Sequence, residues 1–188
     1  MLTDQEIVTL AQDLESDRVE RKGSFARSVR DRITQAICAY ANDLPGSGRP
    51  GLIVIGMNDD GTPSGEPITD ELLRGLGALR SDGNVLPLPT LVVRKVVIGD
   101  HEMAAIVVAP SKDPPVRYEG RVWIRVGPRR AVASRDEERI LIERRQAADL
   151  GFDRRAVPGA TLDDLDLAYF SATYLVAAVT PDVIAENQ

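Results

Sequence analysis

Apolar positions near the start of the chain, Ile7, Leu10, Ala11 and Leu14, recur at helical spacing behind Thr3 and Glu6. Thr3 with Glu6 three residues on is a capping box, so a short helix is expected to end near Glu15. "DRVERK" then alternates as a strand does, which puts Arg18, Glu20 and Lys22 on one face. Val29, Ile33, Ala36, Ile37, Tyr40 and Ala41 mark a second amphipathic helix, stopped by the Gly- and Pro-rich "NDLPGSGRPG". "LIVIG" is a continuous apolar run, predicting a buried strand, and "NDDG" after it predicts a turn into "TPSGEP". Leu72, Leu73, Leu76 and Leu79 predict a third helix. "TLVVRKVVI" and "EMAAIVVA" flank "GDH" as a hairpin, "RVWIRVG" is a further strand, and Ser134 with Glu137 caps a helix over "RDEERILIERR". This order predicts an α+β domain with a mixed, mainly antiparallel sheet and flanking helices.

The pattern changes after residue 147. Residues 1–147 read as one domain and 148–188 as a helical extension, carried by "TLDDLDLAYFSATYLVAAV". "TPDVIAENQ" has Thr180 as an N-cap and Pro181 at the first helical position, a helix start at a chain end. The extension is therefore expected to open a further region of a longer protein.

Composition supports this division: 188 residues at 43% apolar content suit one domain with a small appended element. No run approaches the roughly 20 apolar residues of a membrane span, and "MLTDQEIVTL" lacks the basic start of a signal peptide. A cytoplasmic protein without a membrane partner is expected. Cys38 is the sole cysteine, which excludes an intrachain disulfide, and with His101 the sole histidine no Cys/His zinc site can be assembled. Only oxygen ligands remain as metal donors.

Charge adds a direction. The net charge is -6, yet Arg18 to Arg32 holds six bases against two acids, and Pro115 to Arg135 six arginines against one acid. From Asp149 onward seven acids face two bases. A basic body with an acidic tail fits phosphate binding by the body, against the alternative of solvated faces. The candidate phosphate contacts are Arg18, Arg27, Arg30, Arg121, Arg125, Arg129 and Arg130, the last three at a strand end and its following loop. Trp123 and Tyr118 between them are candidates for base stacking or for the core. "GSGRPG" lacks the Lys-Ser/Thr of a phosphate-binding loop and precedes a strand instead of opening a helix, so no ATP site is expected here.

Across residues 5–145 the sequence resembles the divergent Alba-like domain of the Schlafen group, found at the front of bacterial proteins described as transcriptional regulators. "ESDRVERK" is similar to the family's Glu-Ser-x-x-x-Glu-Phe-Lys, and "ICAYAND" to its Ala-Phe-Ala-Asn segment. "LIVIGMNDDG" matches its Ile-Gly-Val-Asp-Asp-Asp-Gly strand and turn, and "VWIRVGPRRAVASRDE" its Tyr-Ile-Arg-x-Gly-Ser segment. Arg21 stands where the family has an aromatic residue, Asn58 replaces the first acid of the turn, and "LPGSGRPG" replaces a short Gly-Gly turn.

The resemblance implies binding of DNA or RNA. Ribonucleases of the group use two glutamates and an aspartate, which map onto Glu15, Glu20 and Asp59 or Asp60, with Glu15, Glu20 and Asp59 as ligands of Mg²⁺ or Mn²⁺. Phosphodiester cleavage needs such an ion to activate water and neutralise developing charge, and Lys22 would stabilise the phosphate or orient the water. The zinc-binding positions of animal Schlafens have no counterpart. Three functions follow: a nucleic-acid-binding module of a regulator, a metal-dependent endoribonuclease, and a structural oligomerisation domain. Animal Schlafens form their groove from two lobes, which implies a homodimer here. Leu167, Phe170, Tyr174, Leu175 and Ala178, at helical spacing, would supply its interface or fold back on their own chain.

Overall fold

The computed structural model describes residues 2–13, 16–81, 83–148, 159, 161–164 and 166–175. The chain divides into two units, Met1–Asp149 and Leu150–Gln188. In the first unit the elements run α1 (Asp4–Gln12), β1 (Val19–Lys22), α2 (Arg27–Asn42), β2 (Gly51–Ile55) and α3 (Asp70–Ala78). They continue with β3 (Val85–Leu86), β4 (Leu91–Ile98), β5 (His101–Val108), β6 (Arg117–Tyr118), β7 (Arg121–Val126), β8 (Arg129–Val132) and α4 (Arg135–Ala148).

The expected α+β architecture is present, divided between two four-stranded sheets, β1-β2-β5-β4 and β3-β6-β7-β8. The first is mixed: β1 runs parallel to β2, with Glu20 opposite Ile53 and Lys22 opposite Ile55, and the remaining pairs are antiparallel. The second is antiparallel throughout. Arg129 and Arg130, expected in a loop, lie instead in β8, with Arg130 paired to Arg125 and Arg129 to Val126. Pairing with β7 supplies the order that "RRAV" does not announce through any alternation of its own.

Burial follows from this layering. β2 is buried on both faces, as its unbroken apolar run predicts. Ile53 and Ile55 pack toward α2, with Ile33 and Ile37, while Leu52 and Val54 pack with Ile7 and Ala11 of α1. A third cluster joins Val122 and Ile124 of β7 to Leu141 of α4. α2 touches both sheets, which explains why its second half, from Ile33 to Asn42, is buried at every position but Gln35. Asn42 closes it: the amide nitrogen donates to the carbonyls of Val116 (2.9 Å) and Trp123 (2.8 Å), and the amide oxygen accepts from the Val116 N–H (2.6 Å).

Both expected capping boxes form, Thr3 with Glu6 and Ser134 with Glu137. Arg21 donates from Nε and Nη2 to the Ala11 carbonyl and from Nη2 to that of Asp13, capping the end of α1 with a cation at the negative pole of the helix. In the second unit, a 3₁₀ turn at Leu162–Asp164, a helical turn at Leu167–Tyr169 and a π-helical stretch at Phe170–Leu175 follow one another. Leu167 and Phe170 are exposed there. The side chains of Tyr174 and Leu175, together with Ala178, Thr180 and Pro181, lie outside the described residues. Among the described residues no helix is long and apolar enough to cross a membrane.

Candidate nucleic-acid interface

Two places along α2 gather the basic residues. The first is an ion cluster at its middle and end. Alternation along β1 sends Val19 and Arg21 toward α1 and Glu20 and Lys22 toward α2. There Glu20 Oε1 meets Lys22 Nζ at 2.8 Å and Arg130 Nη1 at 3.3 Å, and Oε2 meets Arg125 Nη1 at 2.8 Å. Arg130 also donates to the Arg32 carbonyl. Arg125 and Arg130 are cross-strand neighbours on one face of the second sheet, so a single carboxylate bridges both sheets and faces three cations. Burial is the largest single influence on Glu20 and pushes its pKa up, but the bonds and charges of Lys22, Arg130 and Arg125 together outweigh it and hold the carboxyl below its ordinary value.

The Arg125 guanidinium also lies over Tyr40, its carbon 5.2 Å from the ring centroid. Arg129, one residue from Arg130, points to the opposite face of the sheet, so the arginines of residues 121–130 do not form one surface. Arg18 is held back at the mouth of β1, donating to the Pro50 carbonyl from Nε (3.3 Å) and Nη2 (2.8 Å). Arg121 is exposed at the start of β7.

The second place is a groove of about 790 Å³ at the start of α2, lined by Phe25, Arg27, Arg30, Asp31, Asn84, Tyr118 and Glu119. α1, α3 and α4 each open with acids, Asp4 and Glu6, Asp70 and Glu71, and Asp136 to Glu138. That is the ordinary way to match the positive pole of a helix. α2 opens without one: its N-cap is Ala26, no side chain caps it, and its first turn carries Arg27 and then Arg30. Tyr118 donates to Asp31 Oδ1 at 2.9 Å and is 6% exposed; Trp123 packs against the main core. Of the two alternatives for these rings, base stacking or the core, packing is the one they take.

The expected carboxylate trio is not assembled among the described residues. Glu15 lies outside them. Asp60 accepts the N–H (2.9 Å) and hydroxyl (2.6 Å) of Thr62 and so fixes its own turn, where Gly61 takes a φ of 85°. It shares a cavity with Gln12 of α1 and with Met57, Ile98 and Met103, the α1 side of the first sheet. Glu20 makes its bonds on the α2 side. Asp59 is exposed in the turn. No three His, Cys, Asp or Glu side chains come together as an ion would require among the described residues. The described donors therefore do not fit a shared Mg²⁺ or Mn²⁺: Glu20 has both oxygens taken by cations and Asp60 faces elsewhere.

The Gly-rich loop has its own occupant. Asp43 accepts from Ser47 N (3.1 Å), Ser47 Oγ (2.9 Å) and Gly48 N (2.8 Å), and Arg144 of α4 donates to the Asp43 (2.6 Å) and Leu44 (2.7 Å) carbonyls. Tyr40 is the residue that the sequence pattern hides, because it continues the apolar stripe of α2 and so reads only as core.

The family model described as Schlafen, AlbA_2 matches residues 15–134. Among solved structures, one from Corynebacterium diphtheriae is similar at 22% identity and a TM-score of 0.49, over 94% of this chain and 38% of that protein. The N-terminal domain of a RecG-related protein from Nitrosomonas europaea is similar at 22% identity and a TM-score of 0.47, over 71% of this chain and 91% of that one. This chain thus spans well under half the length of the Corynebacterium protein. No curated protein matches it.

Proposed function

The chain belongs to the Schlafen, AlbA_2 family, and from that premise we propose that its first unit is a nucleic-acid-binding module that holds the phosphate backbone along α2, in the setting of a regulatory protein. The observation that carries the reading is the start of α2. A positive helix pole with no side-chain cap and two further cations in its first turn, beside an open groove that Asp31 and Glu119 also line, favour an anion at the helix start. Phosphate oxygens would answer the free N–H groups of the first turn, since the one carboxylate that reaches this helix start among the described residues, Glu66, accepts only from the Phe25 N–H before the cap (3.4 Å). The ion cluster runs farther along the same helix, from the Arg32 carbonyl, which Arg130 meets, to Tyr40, about 15 Å beyond Arg30. Its three cations against one carboxylate leave it positive.

The test is the salt dependence of binding to single-stranded and duplex DNA and RNA. Arg27→Ala with Arg30→Ala is expected to weaken binding and to lower the slope of log affinity against log salt by about one per lost phosphate contact, about two in all. The thermal midpoint should hold or rise slightly, because two cations leave the positive pole of a helix. An unchanged slope removes the groove from the interface.

A further inference from the structure

A second feature of α2 is not used by phosphate binding. Beside the ion cluster, between the end of α2 and the start of β2, lies a cavity of about 200 Å³ whose lining includes Arg18, Tyr40, Leu44, Pro45, Gly51 and Arg125. Tyr40 is 6% exposed, and its hydroxyl has no hydrogen-bond partner among the described residues. Arg125 gives Nη1 to Glu20, yet its Nε–H, equally buried, has none either. Two buried donors without an acceptor are costly to keep, and buried groups of this kind are almost always paired.

The ring cannot turn away to find a partner. A Cβ added at Gly51 would sit 2.1 Å from Tyr40 Cγ, so the ring lies directly on the glycine backbone, and the Arg125 guanidinium lies over the ring as well. Burial pushes the phenol pKa far above its ordinary value, so the group donates at any working pH. The outer wall, Leu44 and Pro45, belongs to the loop that Asp43 and Arg144 hold in place, so that wall is formed in advance. Arg49, exposed, stands at its rim.

We propose that this cavity receives one unstacked nucleobase of a bound strand, with a base carbonyl oxygen accepting from Tyr40 Oη and Arg125 Nε. A carbonyl oxygen has two lone pairs and so answers both donors at once. The size agrees: drug-sized pockets measure roughly 300 to 1,000 Å³, and this one suits a single planar ring, with Leu44 and Pro45 as apolar wall and Asp17, Asp43 and Ser47 among its polar lining. The Tyr40 ring is covered by the Gly51 backbone and the Arg125 guanidinium, so the base is read by its edge and not by stacking. Thymine, uracil, cytosine and guanine carry a carbonyl; adenine does not. Adenine's ring nitrogens accept through one lone pair each and answer only one of the two donors, so the site disfavours adenine, which backbone contacts along α2 cannot do.

This inference rests on the binding function proposed above, and one experiment separates the two. The full chain is titrated with oligo-dT and oligo-dA of equal length, alongside Tyr40→Phe, at several salt concentrations. The wild type is expected to prefer oligo-dT by at least about five-fold, the worth of one or two hydrogen bonds. Tyr40→Phe should abolish that preference, leave the salt slope unchanged and keep or raise the thermal midpoint, since it removes an unpaired buried hydroxyl. Salt-sensitive binding blind to the base, or a preference that survives Tyr40→Phe, overturns the base site and leaves phosphate binding standing. A lower midpoint for the variant also overturns it, by showing that the hydroxyl is already satisfied in the free protein. Absence of salt-sensitive binding to either oligomer defeats both readings together.

Discussion

The two faces of β1 carry arginine chemistry of opposite kinds. On the α1 face Arg21, 6% exposed, spends its guanidinium on backbone carbonyls at the end of a helix. On the α2 face Arg125 and Arg130 converge on Glu20, with Lys22 beside them. The first arrangement is a brace: its acceptors are neutral carbonyls of the fold, and its charge is met by the negative pole of α1 and buried out of another molecule's reach. The second is a cation cluster with a single counterion, and its net charge remains to be met from outside. Burial alone does not distinguish them; the nature of the acceptor does.

Removing Glu20 should show the largest difference. Glu20→Ala leaves two partly buried arginines and a lysine without their counterion, at a cost of about 3 kcal/mol to unfolding stability measured in urea. Polyanion affinity should move the other way, rising as the carboxylate ceases to compete with phosphate. Loss of affinity together with loss of stability would mean that Glu20 contributes to binding directly. For a nuclease, a Mn²⁺-dependent cleavage of RNA that disappears in the same variant would be the telling result.

Arg21→Met is the matched change on the other face, and it should be milder. Its hydrogen bonds are worth about 1 kcal/mol net once the cost of burying the charge is removed with it. Binding to any nucleic acid should be untouched, and a changed salt slope would erase the distinction between the faces.

The smallest effect is on pH dependence. The folded-state pKa of Glu20 is depressed below 4.5, so its contribution to stability is fully present above the ordinary glutamate range and fades as pH falls through the folded value. In Glu20→Gln the acid limb of urea midpoint against pH should be flatter below about pH 4.5, whereas Arg21→Met should keep the wild-type slope. Equal acid limbs in wild type and Glu20→Gln would show that the carboxylate is not held by its three partners in solution.

The elements were legible wherever the signal is local. Thr3 and Glu6, Ser134 and Glu137, and the unbroken "LIVIG" each announce their structure within a few residues. The candidate site was not, because its bonds join positions far apart: Glu20 and Arg125 are 105 residues distant and no periodicity links them. Glu20 reads from resemblance as a metal ligand, and only the approach of β7 and β8 shows a carboxylate already surrounded. Two-residue strands such as β3 and β6 are too short to alternate, and Arg129 and Arg130 joined a strand because β7 offered a partner. Tyr40 fits the helix pattern so well that nothing in the sequence sets it apart.

Asn42 has a consequence for how the molecule comes apart. Its amide binds segments 74 and 81 residues downstream, standing in for a strand neighbour where the second sheet begins. The last turn of α2 is thereby written into the register of β7. The helix and that sheet should exchange their amide hydrogens as one cooperative unit, slowest in the chain, while the α1 end opens on its own at lower cost. A ligand lying along α2 would then be read out as slowed exchange in strands it never touches.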